Sequence, residues 1–187
     1  MLNPDRWRVS LHEASHIVAA AVFGAKPSYV ALLPGGRGLA AYDPIQDPFE
    51  AAIVSAAGEA GESLAEFHSP GTHDSELQTT STRAPKQLSE TERAVVESSF
   101  AELGEHDFVA IRRFAIRDDD YEAWADRVRL VRHHAHVVTR RYAGDVLRVA
   151  SRLYSESIVV GSELRELLGL ETPSAVGASR VAIAAST

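Results

Sequence analysis

The sequence predicts a mainly α-helical fold with one small β element, a hairpin or small sheet. Three observations carry that expectation. Helix-start signatures recur along the chain: Asn3-Pro4, Asp47-Pro48, and Ser89 followed by Glu92 each place a capping side chain ahead of apolar residues at helical spacing. One short stretch, residues 29–42, alternates as strand, turn and strand around Pro34-Gly35-Gly36-Arg37-Gly38. A chain of 187 residues with 45% hydrophobic and 24% charged residues has ordinary globular composition, long enough to bury a core as one domain.

Taken in order, Asn3 and Pro4 open a first helix, since proline fits the first helical turn. It is expected to run to Phe23, with Gly24 as its stop. Residues 29–33 and 39–42 form the two strands. Asp47 caps a second helix over residues 48–67, with Glu50 at the capping-box position. Ser69-Pro70-Gly71-Thr72 breaks it and a third helix begins near His73. Ser89 and Glu92 open a helix ending at Gly104. Residues 106–155 read as helical, with interruptions near Arg117 and Gly144, and Ser162 caps a last short helix over residues 163–168. The small Ala/Ser-rich stretch 171–187 reads as a flexible tail. The domain is expected to cover residues 1–170, with a catalytic part over about 1–84 and a helical part over about 88–170.

Composition also excludes several function classes. There is no cysteine, so disulfides, thiolate nucleophiles and cysteine metal sites are ruled out, and any metal must be held by His, Asp or Glu. A net charge of −7 argues against nucleic-acid binding, whose affinity rests on neutralising phosphates. The longest apolar run, residues 17–25, is too short to cross a bilayer, so no membrane partner is expected. The most chemically loaded motif starts at residue 12, which argues against a signal peptide of the usual form; the expected location is cytoplasmic.

That motif is His12-Glu13-Ala14-Ser15-His16, an H-E-x-x-H sequence inside the first helix. Residues four apart on a helix lie about 40° apart around its axis and one turn along it, so both imidazoles can converge on one ion. Glu13 beside them can act as general base on a metal-activated water and return the proton to a leaving amine. With 8 His and 16 Glu in the chain, random placement would produce the motif in about 3% of such sequences, so accident is a poor explanation. The helix is apolar on nearly all sides (Trp7, Leu11, Ala14, Val18, Ala21 and Val22 on one, Val9, Ala20 and Phe23 near the histidines), which predicts burial. Buried imidazoles and a buried carboxylate need partners, and a metal supplies them. The expected cofactor is Zn2+. A third ligand is sought among Glu59, Glu62, Glu66, His68, His73 and Asp74; spacing alone puts Asp74 only slightly ahead of Glu62.

At this point the sequence resembles the peptidase domain of the FtsH-type ATP-dependent zinc proteases. HEASH followed by IVAAAVFGA is similar to that family's HEAGH helix, and YVALLPGGRGLAAY to its strand-turn-strand. AAGEAGESLAEF resembles its glycine-containing helix, GTHDSELQ the segment carrying the third zinc ligand, and VLRVASRLYSESIVVGSELRELLG its C-terminal helical hairpin. The likeness covers most of residues 8–170, weakly between 85 and 125. It implies a zincin-like HExxH helix followed by a helical bundle, zinc, peptide-bond hydrolysis, Glu13 as base, and His12, His16 and Asp74 as ligands. It also implies that an extended protein or peptide substrate adds to an edge strand at residues 29–33. Departures from the family include Ser15 in place of the usual glycine, an interval from His16 to Asp74 shorter than the family's, and the lack of a GxxxxGKS/T phosphate loop, so an ATPase would act as a separate partner.

The expected function is therefore a zinc-dependent endopeptidase acting on flexible or unfolded segments. The rival is a catalytically idle module that keeps the fold as a protein-binding surface. His133, His134 and His136 lack the i, i+4 spacing and read as a solvated helix face; Asp118-Asp119-Asp120 reads as a helix start. Trp7 and Trp124 read as core or interface anchors. The Arg-rich amphipathic stretch 127–141 suggests packing against a neighbour, and a homo-oligomer is an open expectation.

Overall fold

The computed structural model describes residues 3–69, 106–115 and 121–170. Its described elements are mainly helical, with one three-stranded antiparallel sheet. Helix α1 spans Pro4–Val22 and starts where the sequence says it should: the Asn3 side chain accepts hydrogen bonds from the Asp5 and Arg6 amides. It ends at Phe23, followed by Gly24 at a left-handed φ of 81°. Strands β1 (Pro27–Leu33) and β2 (Arg37–Tyr42) form a hairpin in which Leu33 faces Arg37 and Val30 faces Ala40. Gly35 and Gly36 both take positive φ in its turn, a conformation that side chains with a Cβ rarely adopt.

Helix α2 spans Pro48–Glu62, capped by Asp47, whose side chain accepts from the Phe49 and Glu50 amides. The expected helix over residues 48–67 changes pitch at Ser63, and Ser63–Glu66 is a 3₁₀ turn. Helices α3 (His106–Ala115), α4 (Tyr121–Arg141) and α5 (Ala143–Glu156) follow, and the break between the last two falls at Tyr142. Strand β3 (Ile158–Val160) leads into α6 (Gly161–Leu167). Ser162 is not the cap of α6: Val160 holds that position without a side-chain hydrogen bond, because the helix starts two residues earlier than expected, at Gly161. The helices expected near His73 and at residues 89–104, the break near Arg117, Asp118-Asp119-Asp120 and the tail lie outside the described residues.

Strand β3, absent from the sequence expectation, changes the sheet. The strand order is β2-β1-β3, with Val30 paired to Val159 as well as to Ala40. Residues 29–33 therefore lie in the central strand. They are not the edge to which a substrate would add, since Tyr29, Val30 and Ala31 have β3 on one side and β2 on the other. The outer side of β2 has no strand partner among the described residues.

Two packed layers hold α1 and α2 in place. On one side, Trp7, Leu11, Ala14, Ile17 and Val18 of α1 pack with Val146, Val149, Ala150 and Leu153 of α5, Val30 and Val159 of the sheet, and Leu164 of α6. On the other, Ala52, Ile53, Ala56 and Ala60 of α2 meet Val131 and Ala135 of α4. The Trp7 indole N–H donates to the His68 carbonyl at 2.7 Å, and the Arg6 guanidinium donates to Tyr154 O and Ser157 Oγ, tying the start of α1 to the end of α5. The N- and C-terminal helices thus share one core. Among the described residues no helix is long and apolar enough to cross a membrane.

Candidate metal centre

The apolar character of α1 buries its polar motif: Glu13 is 8% and His16 4% exposed. Both imidazoles are oriented through Nδ1. His16 Nδ1–H donates to the main-chain carbonyl of Val54 at 2.8 Å, and His12 Nδ1–H donates to Glu62 Oε1 at 2.8 Å. Both acceptors belong to α2. Arg8, one turn before His12, pairs with the other Glu62 oxygen at 3.5 Å. In a neutral ring whose Nδ1 donates, the lone pair resides on Nε2. The two ring centroids are 4.7 Å apart, and a Cβ placed on Gly58 would lie 2.5 Å from both His12 Nε2 and His16 Nε2. The two donor atoms converge on one point, over the one residue type that leaves that point open.

Two further glycines complete the enclosure. A Cβ on Gly38 of β2 would sit 2.6 Å from Glu13 Oε1 and 2.7 Å from its Cδ. A Cβ on Gly61 of α2 would meet the Ser15 hydroxyl and lie 2.7 Å from the Leu11 carbonyl oxygen. Glycines 38, 58 and 61 all have φ outside the left-handed range, so space alone makes glycine necessary there. Four of the five motif positions or their backbone neighbours are therefore met by a glycine from another element. Ser15 Oγ is buried with no hydrogen-bond partner, a measure of how closely α1 and α2 cross.

Imidazole nitrogens presented on one side of a helix, with their opposite nitrogens fixed by a carboxylate and a carbonyl, are a donor set suited to zinc. The residues fit the ion that the motif implies. Of the expected third-ligand candidates, Glu62 lies on the Nδ1 side of His12, where it orients that ring, and Glu59 pairs with Arg132 at 3.0 Å. Glu66 and His68 lie beyond, in the turn after α2, lining with Trp7 and Arg8 a cavity of about 780 Å³. Asp74 and His73 lie outside the described residues, and among those described no third His, Asp or Glu joins His12 and His16.

Sequence reasoning missed Gly38, Gly58 and the Val54 carbonyl. The carbonyl carries no side-chain signal at all. The pair Gly58 and Gly61, three apart on an Ala-rich helix, is the signal that could have pointed to a close helix crossing, without saying what it approaches. Compared with known proteins, the chain matches no protein-family model and no curated protein sequence.

Proposed function

We propose that this chain is a zinc-dependent endopeptidase acting on flexible or unfolded protein segments, akin to the peptidase domain of the FtsH-type proteases. The observation that carries the reading is the convergence of His12 Nε2 and His16 Nε2 over Gly58, with both Nδ1 atoms committed to acceptors on α2. The resemblance of the ordered sequence segments supports it. His12 and His16 would hold the ion, with Asp74 as the expected third ligand. Zinc, when bound, supplies Lewis-acid activation of a water and of the scissile carbonyl.

The chain's own residues do the rest. Glu13 Oε1, held against β2 at Gly38, takes the proton from the attacking water and delivers it to the leaving amine. A peptide in extended form would run along the outer edge of β2 and so pass Glu13. Glu62, braced by Arg8, keeps His12 in the tautomer that presents Nε2. The test is cleavage of a permanently unfolded protein by the zinc-loaded chain, read as new N-termini. Glu13→Gln should keep the zinc and lose about 10²–10⁴-fold in rate. Cleavage at the wild-type rate by that variant would overturn the reading.

A further inference from the structure

Gly58 and Gly38 stand against different atoms of the same motif. At Gly58 the three atoms nearest an added Cβ are the far ends of two side chains, His12 Nε2 and Cε1 and His16 Nε2. At Gly38 the three nearest atoms are Glu13 Cγ, Oε1 and Cδ. Side-chain ends can swing aside without moving the backbone. Gly61 differs: the Leu11 carbonyl oxygen, 2.7 Å from its Cβ position, is main chain and cannot swing. The three glycines therefore fail in three ways when given a methyl group.

We infer that Gly58 and Gly38 are positioning residues that control two halves of the site independently: Gly58 the metal-holding imidazoles, Gly38 the proton-accepting carboxylate. The inference rests on the peptidase reading and adds to it two residues outside the motif. A methyl at Gly58 pushes both rings off the point where their Nε2 atoms meet, and it strains the bonds from their Nδ1 atoms to Val54 O and Glu62. A methyl at Gly38 leaves those bonds alone and displaces only Glu13. The preference of a helix interior for alanine over glycine offsets part of the strain at Gly58.

The experiment compares wild type with Gly58→Ala, Gly38→Ala, Gly61→Ala and the control Gly144→Ala, whose Cβ would meet nothing closer than Arg148 Nη1 at 3.8 Å. Four readouts are taken: zinc affinity by competition with a chromophoric chelator, melting of the zinc-free protein, the imidazole ¹H–¹⁵N spectrum of the zinc-free protein, and cleavage at saturating zinc. Gly58→Ala should shift the His12 and His16 ring signals and weaken zinc binding at least about tenfold, with a smaller loss of melting temperature than Gly61→Ala. Gly38→Ala should leave ring signals and zinc affinity as in wild type and reduce cleavage about 10²-fold. Gly61→Ala should melt lower and Gly144→Ala should match wild type throughout. Unchanged ring signals and zinc affinity in Gly58→Ala would overturn the inference, as would loss of zinc or full activity in Gly38→Ala. Failure of the wild-type protein to take up zinc would overturn the peptidase reading instead, and the ring spectra would still decide the geometry.

Discussion

Two helices of this protein carry histidines close together, and among the described residues on only one of them do two ring nitrogens lie against the same glycine. On α1, His12 and His16 are one turn apart, each Nδ1 donates to α2, and both Nε2 atoms meet over Gly58. On α4, His133, His134 and His136 are more numerous and closer in sequence. Consecutive helical residues diverge by about 100° around the axis, and the His133 and His134 rings touch edge to face at 5.7 Å between centroids. His133 is exposed, and His134 donates from Nδ1 to Leu130 O of its own helix at 2.9 Å while its ring rests on Phe49. Histidine density is thus a poor guide to a metal centre. What matters is the spacing, an acceptor on a second element for each Nδ1, and a partner surface with no Cβ where the Nε2 atoms meet.

The strongest test of that contrast is removal of one ring. His16→Ala should lower the zinc-to-protein ratio of the purified chain from near one to near zero, measured by elemental analysis after a mild chelator wash. Hydrolysis should fall to background with it. In the wild type, stripping zinc should also lower thermal stability, since an ion that binds only the folded state contributes about 2.7 kcal/mol at one hundred times its Kd. Full zinc occupancy in His16→Ala would break the comparison at its base.

Within α1, the two rings differ in how they are anchored, and the next prediction uses that difference. His16 is held by the main chain of Val54, which no substitution deletes, whereas His12 depends on Glu62, a side chain about one-third exposed. Glu62→Ala should weaken zinc binding about 10–100-fold while stoichiometric binding at high zinc persists. Glu62→Gln, whose amide oxygen still accepts from Nδ1, should recover part of that loss. If Glu62 were itself a ligand, Glu62→Ala would abolish stoichiometric binding, so one titration separates the two roles.

The sequence made much of α1 legible because its signals are local. Asn3-Pro4 and Gly24 mark its ends, the H-E-x-x-H spacing is a property of one helix, and the apolar residues around it announce burial. Asp47-Pro48 marks α2 in the same way. Relations between elements were not legible. That Glu62 faces Nδ1 rather than the ion depends on how α2 crosses α1, and no spacing rule encodes it. Strand β3 is only Ile158, Val159 and Val160; three β-branched or apolar residues between helices are too few to show a period of two. Missing it made residues 29–33 look like an edge. Gly38 read as part of a turn and Gly58 and Gly61 as glycines within a helix, although all three admit side chains or main chain some tens of residues away.

The close crossing of the two helices has a cost at Ser15, and here a gain in stability is expected. Its hydroxyl is buried without a partner, against Gly61. Ser15→Ala removes an unsatisfied polar group and improves helix propensity, together about 1–2 kcal/mol. In a chain of this size that is a rise of about 2–8 °C in melting temperature, with zinc affinity unchanged. A fall in melting temperature would mean that the hydroxyl finds a partner in solution.

The smallest expected effect returns to α4. Ala replacing His133 and His134 together should leave zinc stoichiometry and affinity as in wild type. His133 contributes little to packing, and the His134 bond to Leu130 O runs from a side chain to a carbonyl of its own helix. Alanine is also the better helix former, which offsets the contact of His134 with Phe49. The change in stability should stay within about 0.5 kcal/mol, as for exposed positions generally. A measurable loss of zinc in that double variant would place a second ion on α4, and spacing on a single helix would then no longer separate a ligand pair from a solvated face.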